Sequence, residues 1–303
     1  MPLSIAALIY IIIASFSGLT RAEANAVYWD RESAVATVPK WGGAVESCYS
    51  GSTSRAYRDA TVATINAYRR LCGLGEIAAD DGLELGCQEA ALIMLARRVQ
   101  TGQWDLTHQP PADWPCWTPL GATGAARSNI AANPGPVAVE QYMDSHPHRG
   151  WILFRRALTF GVGSCWLPTD VGGANAIDVF GLVLKDYARD FVAFPPPGFF
   201  PRPMMRADWS FALEDADFSV AAASVNVSNA AVGVVQLGPF FYGDPYFAFR
   251  PSVILTNPGP DVRVDVTIRR VRVAGVEKDF SYSFTAFWPA EPPNAAREWR
   301  GYE

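Results

Sequence analysis

Residues 138–163 read AVEQYMDSHPHRGWILFRRALTFGVG, and the folding of this stretch decides the architecture. It passes from a helical pattern into an apolar, Gly-punctuated run of the kind that forms a buried strand. Two of the three histidines, His146 and His148, stand here beside Arg149, making the segment the first candidate for a site. On a helix, residues two apart point about 200° away from each other. His146 and His148 can therefore share a ligand only if the backbone between them is irregular, and Pro147 is a residue that breaks helices.

Upstream, residues 55–71 place Thr61, Ile65 and Tyr68 along one stripe of a 3.6-residue period, and the glycines at 73 and 75 end that helix. A second helix starts near Asp80 and Asp81, where carboxylates suit the positive end of the macrodipole. It carries Leu83, Cys87, Ala90, Ala91, Met94 and Leu95 on a core face and closes at Arg97 and Arg98. His108 follows in LTHQPP, where Pro110 and Pro111 forbid helix continuation and predict a loop. Downstream, residues 158–166 and 176–184 read as an antiparallel strand pair separated by a turn-rich segment.

These segments together resemble the CAP superfamily of cysteine-rich secretory, antigen 5 and pathogenesis-related-1 proteins. Val139, Tyr142, Asp144, Ser145, His148, Arg149, Ile152, Leu153 and Gly161-Val162-Gly163 follow the bacterial pattern "aV..WmnSpgHR..il.p....vGvG". Residues 65–96, INAYRRLCGLGEIAADDGLELGCQEAALIMLA, resemble the family's opening helix pair. The resemblance implies an α+β fold: a three-layer α/β/α sandwich with a cleft at the edge of a small antiparallel sheet.

The resemblance also implies a cleft built on His108 and His148, which in several family members holds zinc or another divalent cation with two acidic residues. Here the family's first glutamate position falls at Ser128, in Arg127-Ser128-Asn129-Ile130, and the second falls at Ser145. The candidate cleft and ligand-binding residues are thus His108, Ser128, Ser145, His148 and Arg149, with His108 and His148 as the candidate metal ligands. Two imidazoles alone make a weak site, because tight zinc sites normally use four ligands. Asp105, Glu140, Asp144 and His146 are the side chains near in sequence that would complete it.

Ser128 or Ser145 could be paired with a histidine for hydrolysis, but no acidic orienter or strained GxSxG turn supports such a pair, so no catalytic residue is assigned. The glycines of Gly161-Val162-Gly163 are better read as places of close backbone packing than as a nucleotide fingerprint.

A net charge of −5 over 303 residues gives no basis for nucleic-acid binding, which needs clustered Lys and Arg. Half of the residues are hydrophobic and 18% charged, the composition of packed globular protein. An apolar run at residues 5–16, followed by Ala22-Glu23-Ala24, suits a signal peptide cut before Asn25, although no basic residue precedes the run. The alternative, an uncleaved anchor, needs about 20 apolar residues. Secretion, or residence in an extracytoplasmic compartment, is the expectation, with no transmembrane helix in the mature chain. All five cysteines, Cys48, Cys72, Cys87, Cys116 and Cys165, follow the leader, so disulfides are expected with an odd one left over. Their pairing stays open, and buried free thiols are the alternative.

Residues 194–201, FPPPGFFP, read as a stiff proline connector. Beyond it, alternating patterns appear in Trp209, Phe211, Leu213; in Phe218, Val220, Ala222; in Val262, Val264, Val266, Ile268; and in Phe280, Tyr282, Phe284. The third slips phase at Arg269-Arg270, which predicts a β-bulge. The segment WSFALEDADFSVAAASV at 209–225 also resembles the C-terminal extension of some bacterial CAP proteins, implying a small all-β Ig-like sandwich.

The organisation expected is a signal peptide at 1–24, an N-terminal extension at 25–54, a CAP domain at 55–190, a proline-rich linker at 191–206 and the sandwich at 207–303. The function expected is non-enzymatic binding of a small molecule, lipid or extracellular protein. The alternatives are a divalent-metal hydrolase or peptidase using His108 and His148, and a structural scaffold.

Overall fold

The computed structural model of the chain describes residues 17–185 and 191–291. The apolar run expected to be a leader, residues 5–16, lies outside them. The chain begins with α1 (Arg21–Val35), started by a capping box in which Thr20 and Glu23 satisfy each other's backbone donors. Ala24, Val27 and Ala34 bury its inner face. The segment expected to be an N-terminal extension, 25–54, thus begins within this packed helix, and the boundary expected between Ala24 and Asn25 falls inside it.

The two helices read from the sequence form as α2 (Arg55–Leu71) and α3 (Asp81–Thr101), joined by the short β1 (Ala78–Ala79). Helix α3 runs past Arg97 and Arg98 to Gly102, whose positive φ of 74° terminates it. A loop carrying His108 leads to α4 (Pro119–Arg127), capped by Thr118, and to β2 (Ser128–Ala131). The stretch at 138–163 becomes α5 (Gly135–Asp144), α6 (His146–Ile152) and the start of β3 (Thr159–Trp166). Strand β4 (Gly173–Asp178) returns antiparallel to β3 as expected, but it begins inside the segment read as a turn and ends well before residue 184.

The four strands form a sheet in the order β1-β3-β4-β2. One face packs on α3, the other on α2 and α5 with α1 laid against those two helices, giving the three-layer α/β/α arrangement. Gly161 and Gly163 let α3 lie directly on β3. A Cβ at 163 would stand 2.3 Å from the backbone carbon of Cys87.

The second half is a sandwich. After β5 (Val192–Phe194), β6 (Gly198–Pro201) and a 3-10 turn (Arg202–Met204) come β7 (Trp209–Ala212), β8 (Ala216–Asp217), β9 (Ala222–Val227) and β10 (Ala230–Val232). A long hairpin, β11 (Val234–Tyr242) and β12 (Asp244–Pro251), precedes β13 (Val262–Val273) and β14 (Val276–Phe287). One sheet runs β10-β9-β13-β14-β6 with β8 on β13, and the other runs β11-β12-β7-β5. The bulge expected at Arg269-Arg270 is present, because the β13–β14 register shifts between Ile268 and Val271. In the predicted strand through Phe218, Val220 and Ala222, only Ala222 lies in a strand.

The proline-rich stretch is not a linker. Its prolines turn the corner between the sheets, while β5 pairs with β7 in one and β6 runs parallel to β14 in the other. Pro195, Pro196 and Pro197 lack donors, but the residues on either side supply the ladders. A single apolar cluster accordingly runs from Ala24, Ile65 and Phe160 through Phe194 and Phe200 to Trp209 and Phe284. No helix among the described residues is long and apolar enough to cross a membrane.

Of the five cysteines, Cys48 and Cys116 form a disulfide, while Cys72, Cys87 and Cys165 are buried outside it. The pairing rule expected one leftover cysteine, and the structure leaves three. Each of these sits in a packed interior: Cys165 on β3 accepts from Gln88 Nε2, and Cys87 Sγ accepts from the Asp178 amide.

Candidate functional site

Helix α6 begins at His146, so the irregular backbone that would let its two histidines converge is absent. Pro147 occupies the first turn, where its missing N–H costs nothing. The imidazoles diverge as helical geometry requires. His148 turns toward His108, with ring centroids 6.5 Å apart. His146 turns into the sandwich, 4.3 Å from the Phe240 ring centroid and 3.1 Å from the Tyr246 hydroxyl, and that hydroxyl donates to the His146 carbonyl.

His108 and His148 line a cleft of about 310 Å³. His108 sits on the loop after α3, which the Cys48–Cys116 disulfide and the Trp117 Nε1 bond to Pro110 O hold in place. Its Nδ1 lies 3.0 Å from the Ala125 carbonyl of α4. A carbonyl can only accept, so Nδ1 carries the proton and, in the neutral ring, Nε2 presents a lone pair. His148 packs edge-on against Tyr142 at 5.6 Å. Burial, and secondarily the charge of His108, push its pKa down to about 4. Its imidazole is therefore neutral over the ordinary physiological range.

Ser128 and Asn129, from β2, form the base of the cleft. Asn129 Nδ2 donates to the His148 carbonyl, and Tyr142 donates to the Asn129 carbonyl, so the strand and α6 are pinned together. Trp151 and Phe180 form one wall, with ring centroids 4.7 Å apart. Tyr242, from the end of β11, also lines the cleft. No sequence signal in the first half points to a wall supplied by the second. The turn Tyr242-Gly243-Asp244 could have revealed a hairpin, but not where it docks.

Of the other sequence-derived site residues, Ser145 links α5 to α6 and does not line the cleft. Arg149 points away from it. Its guanidinium is fully buried over the Phe194 ring, donates to the Met143 carbonyl at 2.7 Å, and has its pKa pushed down to about 10 by burial. The carboxylates near in sequence are engaged elsewhere. Asp105 pairs with Arg97, Asp144 with Arg206, and Glu140 with both Arg31 and Arg206. Among the described residues no Asp or Glu lines the cleft, and no third His, Cys, Asp or Glu joins the histidine pair. The donor set of the cleft is thus two imidazoles with neutral hydroxyl and amide groups.

Residues 62–166 match the family model CAP, described as the Cysteine-rich secretory protein family. The match spans His108, Ser128, Ser145, His148 and Arg149, and leaves Tyr242 and the sandwich outside it. No curated protein matches the chain.

Proposed function

Starting from a chain whose first half is a CAP domain, we propose that its cleft binds a small molecule reversibly, outside the cytoplasm, without catalysing its conversion. CAP proteins are typically extracellular, and the Cys48–Cys116 disulfide suits an oxidising compartment. The observation that carries the binding reading is the make-up of the cleft. It has aromatic walls and neutral polar groups, and no carboxylate among the described residues within reach of either histidine. A histidine acting as general base is ordinarily oriented by a carboxylate, and neither imidazole has one lining the cleft beside it. The volume sits at the low end of the roughly 300–1,000 Å³ typical of small-molecule sites.

The test is a thermal-shift screen of small molecules on the chain beside a His108→Ala/His148→Ala double variant. A compound that raises the midpoint of the parent and not of the variant supports the reading. Compounds that shift both equally, or none that shifts either, overturn it.

A second reading, a weakly held divalent cation, draws support from the tautomer of His108, whose Nε2 lone pair is the one a metal would take. His108 and His148 would supply two ligands, and water the rest. Calorimetric zinc titration separates the two readings: micromolar binding lost in the double variant favours the cation, and binding absent or unchanged removes it.

A further inference from the structure

We propose that the occupant of the cleft is a neutral saccharide of one or two rings, a reading that rests on the binding function above and names its ligand class. Tyr242 and Trp151 would pack on its faces, and His108, His148, Ser128 and Asn129 would meet its hydroxyls.

Charge sorts the candidates first. The cation in the lining, Arg127, is already committed, its Nε donating to Asp178 at 2.6 Å and its Nη2 to the Phe180 carbonyl at 2.8 Å. A phosphate or carboxylate would find that guanidinium's charge already balanced by Asp178. A cationic ligand would find no carboxylate. What remains is a neutral molecule.

Polarity sorts them next. Among the described residues, neither ring nitrogen of His148 nor the Tyr242 hydroxyl has a hydrogen-bond partner in the chain, and Nε2 of His108 is likewise open. An acyl chain laid over these groups would leave them covered and unpaired, stripped of water with nothing in exchange. A ligand edged with hydroxyls pairs with them, since a hydroxyl both donates and accepts and so suits a lone pair at one point and an N–H at the next.

The aromatic walls complete the match. Tyr242 is 39% exposed and Phe180 47%, so both rings offer open surface beside the polar base. The negative face of an aromatic ring attracts the positive C–H groups on the flat side of a sugar. Tyr242 is held in position rather than dangling. The β11–β12 hairpin turns at Gly243, with φ of 81°, and presses on α6 so closely that a Cβ at Gly150 would lie 2.6 Å from the Tyr242 carbonyl. The sandwich thereby supplies a wall that the CAP domain alone lacks.

The experiment uses the full chain with chitobiose, cellobiose and maltose as probes, palmitate and inorganic phosphate as comparators, and saturation-transfer NMR with calorimetry as readouts. At least one disaccharide is expected to bind, with affinity falling about tenfold in Tyr242→Ala and also weakening in His108→Ala. Tyr242→Phe keeps the ring and is expected to lose less, which guards against a folding defect in the alanine variant. If palmitate or phosphate binds in a His108-dependent way and no saccharide does, the ligand class is wrong while the cleft stands as a binding site. Saccharide binding that ignores both substitutions places the sugar elsewhere and overturns the proposal. Silence from every probe overturns it together with the binding reading.

Discussion

Arg206 donates to the carboxylate of Glu140, joining the segment that enters the sandwich to helix α5 of the CAP domain. The same carboxylate accepts from Tyr68 of α2 at 2.7 Å and pairs with Arg31 of α1. Both arginine side chains are about nine-tenths buried, at 10% and 9% exposure. Desolvation opposes their charge, but the neighbouring Tyr68 and Glu140 outweigh it, and both guanidiniums are held above their ordinary pKa.

Removing one member of such a cluster strands the others. Glu140→Ala takes from both buried guanidiniums the carboxylate they share, leaving Arg31 with Glu32 alone and Arg206 with Asp144 alone, and the expected cost is about 3 kcal/mol. Urea unfolding followed by tryptophan fluorescence measures it. A loss under 1 kcal/mol would mean that the arginines find other partners or water.

His148 makes stability depend on pH. Its folded pKa, about 4, lies below the ordinary 6.5, so the unfolded chain takes up the proton first as pH falls. The stability it contributes is fully present above pH 6.5, declines between 6.5 and 4, and is gone below. Its size is up to about 3 kcal/mol. Urea midpoints at pH 7, 5.5 and 4 in the presence of a chelator should fall less steeply in His148→Asn than in the parent. Parallel slopes would refute the assignment.

The disulfide fastens the loop that carries His108. Cys48 and Cys116 are 68 residues apart, and closing a loop of that length stabilises the fold by roughly 4 kcal/mol in the chain-entropy account. A Cys48→Ser/Cys116→Ser chain should therefore show a lower denaturation midpoint and a weakened ligand response in the thermal-shift screen. A variant with unchanged binding would show that Trp117 and Ala125 alone position His108.

The first turn of α1 also gives a test. A chain beginning at Asn25 lacks the Thr20 cap, the buried Ala24 and the Leu19 carbonyl that receives the Phe199 amide. It should unfold at lower urea than one beginning at Ser17, while Thr20→Ala alone should cost about 1 kcal/mol. Equal midpoints would show that these residues are dispensable.

How much of this was readable beforehand depended on the range of the interaction. The stripe through Thr61, Ile65 and Tyr68 and the carboxylates at Asp80 and Asp81 are local signals, and they gave α2 and α3. The phase slip at Arg269-Arg270 is local too, and the bulge is there. The prolines at 195–197 misled because the absence of donors was read as the absence of pairing, whereas Val192 and Phe199 pair just outside them. The β11–β12 hairpin was missed because its aromatic residues lie on both faces, Phe240 against His146 and Phe241 in solvent, which blurs any alternation. Within the cleft, His108, Ser128 and His148 came from the family resemblance. Tyr242 did not, because its place is set by tertiary docking that no spacing encodes.

The two imidazoles that part company on α6 tie the halves of the molecule into one inheritance. A single helical turn presents His148 to the cleft and seats His146 against Phe240 and Tyr246. The sandwich is therefore not a passenger that could be exchanged for another of the same shape. A transplanted module would have to bring its own seat for His146 and its own wall for the cleft, so sequence change in α6 and in the β11–β12 hairpin should travel together through descent.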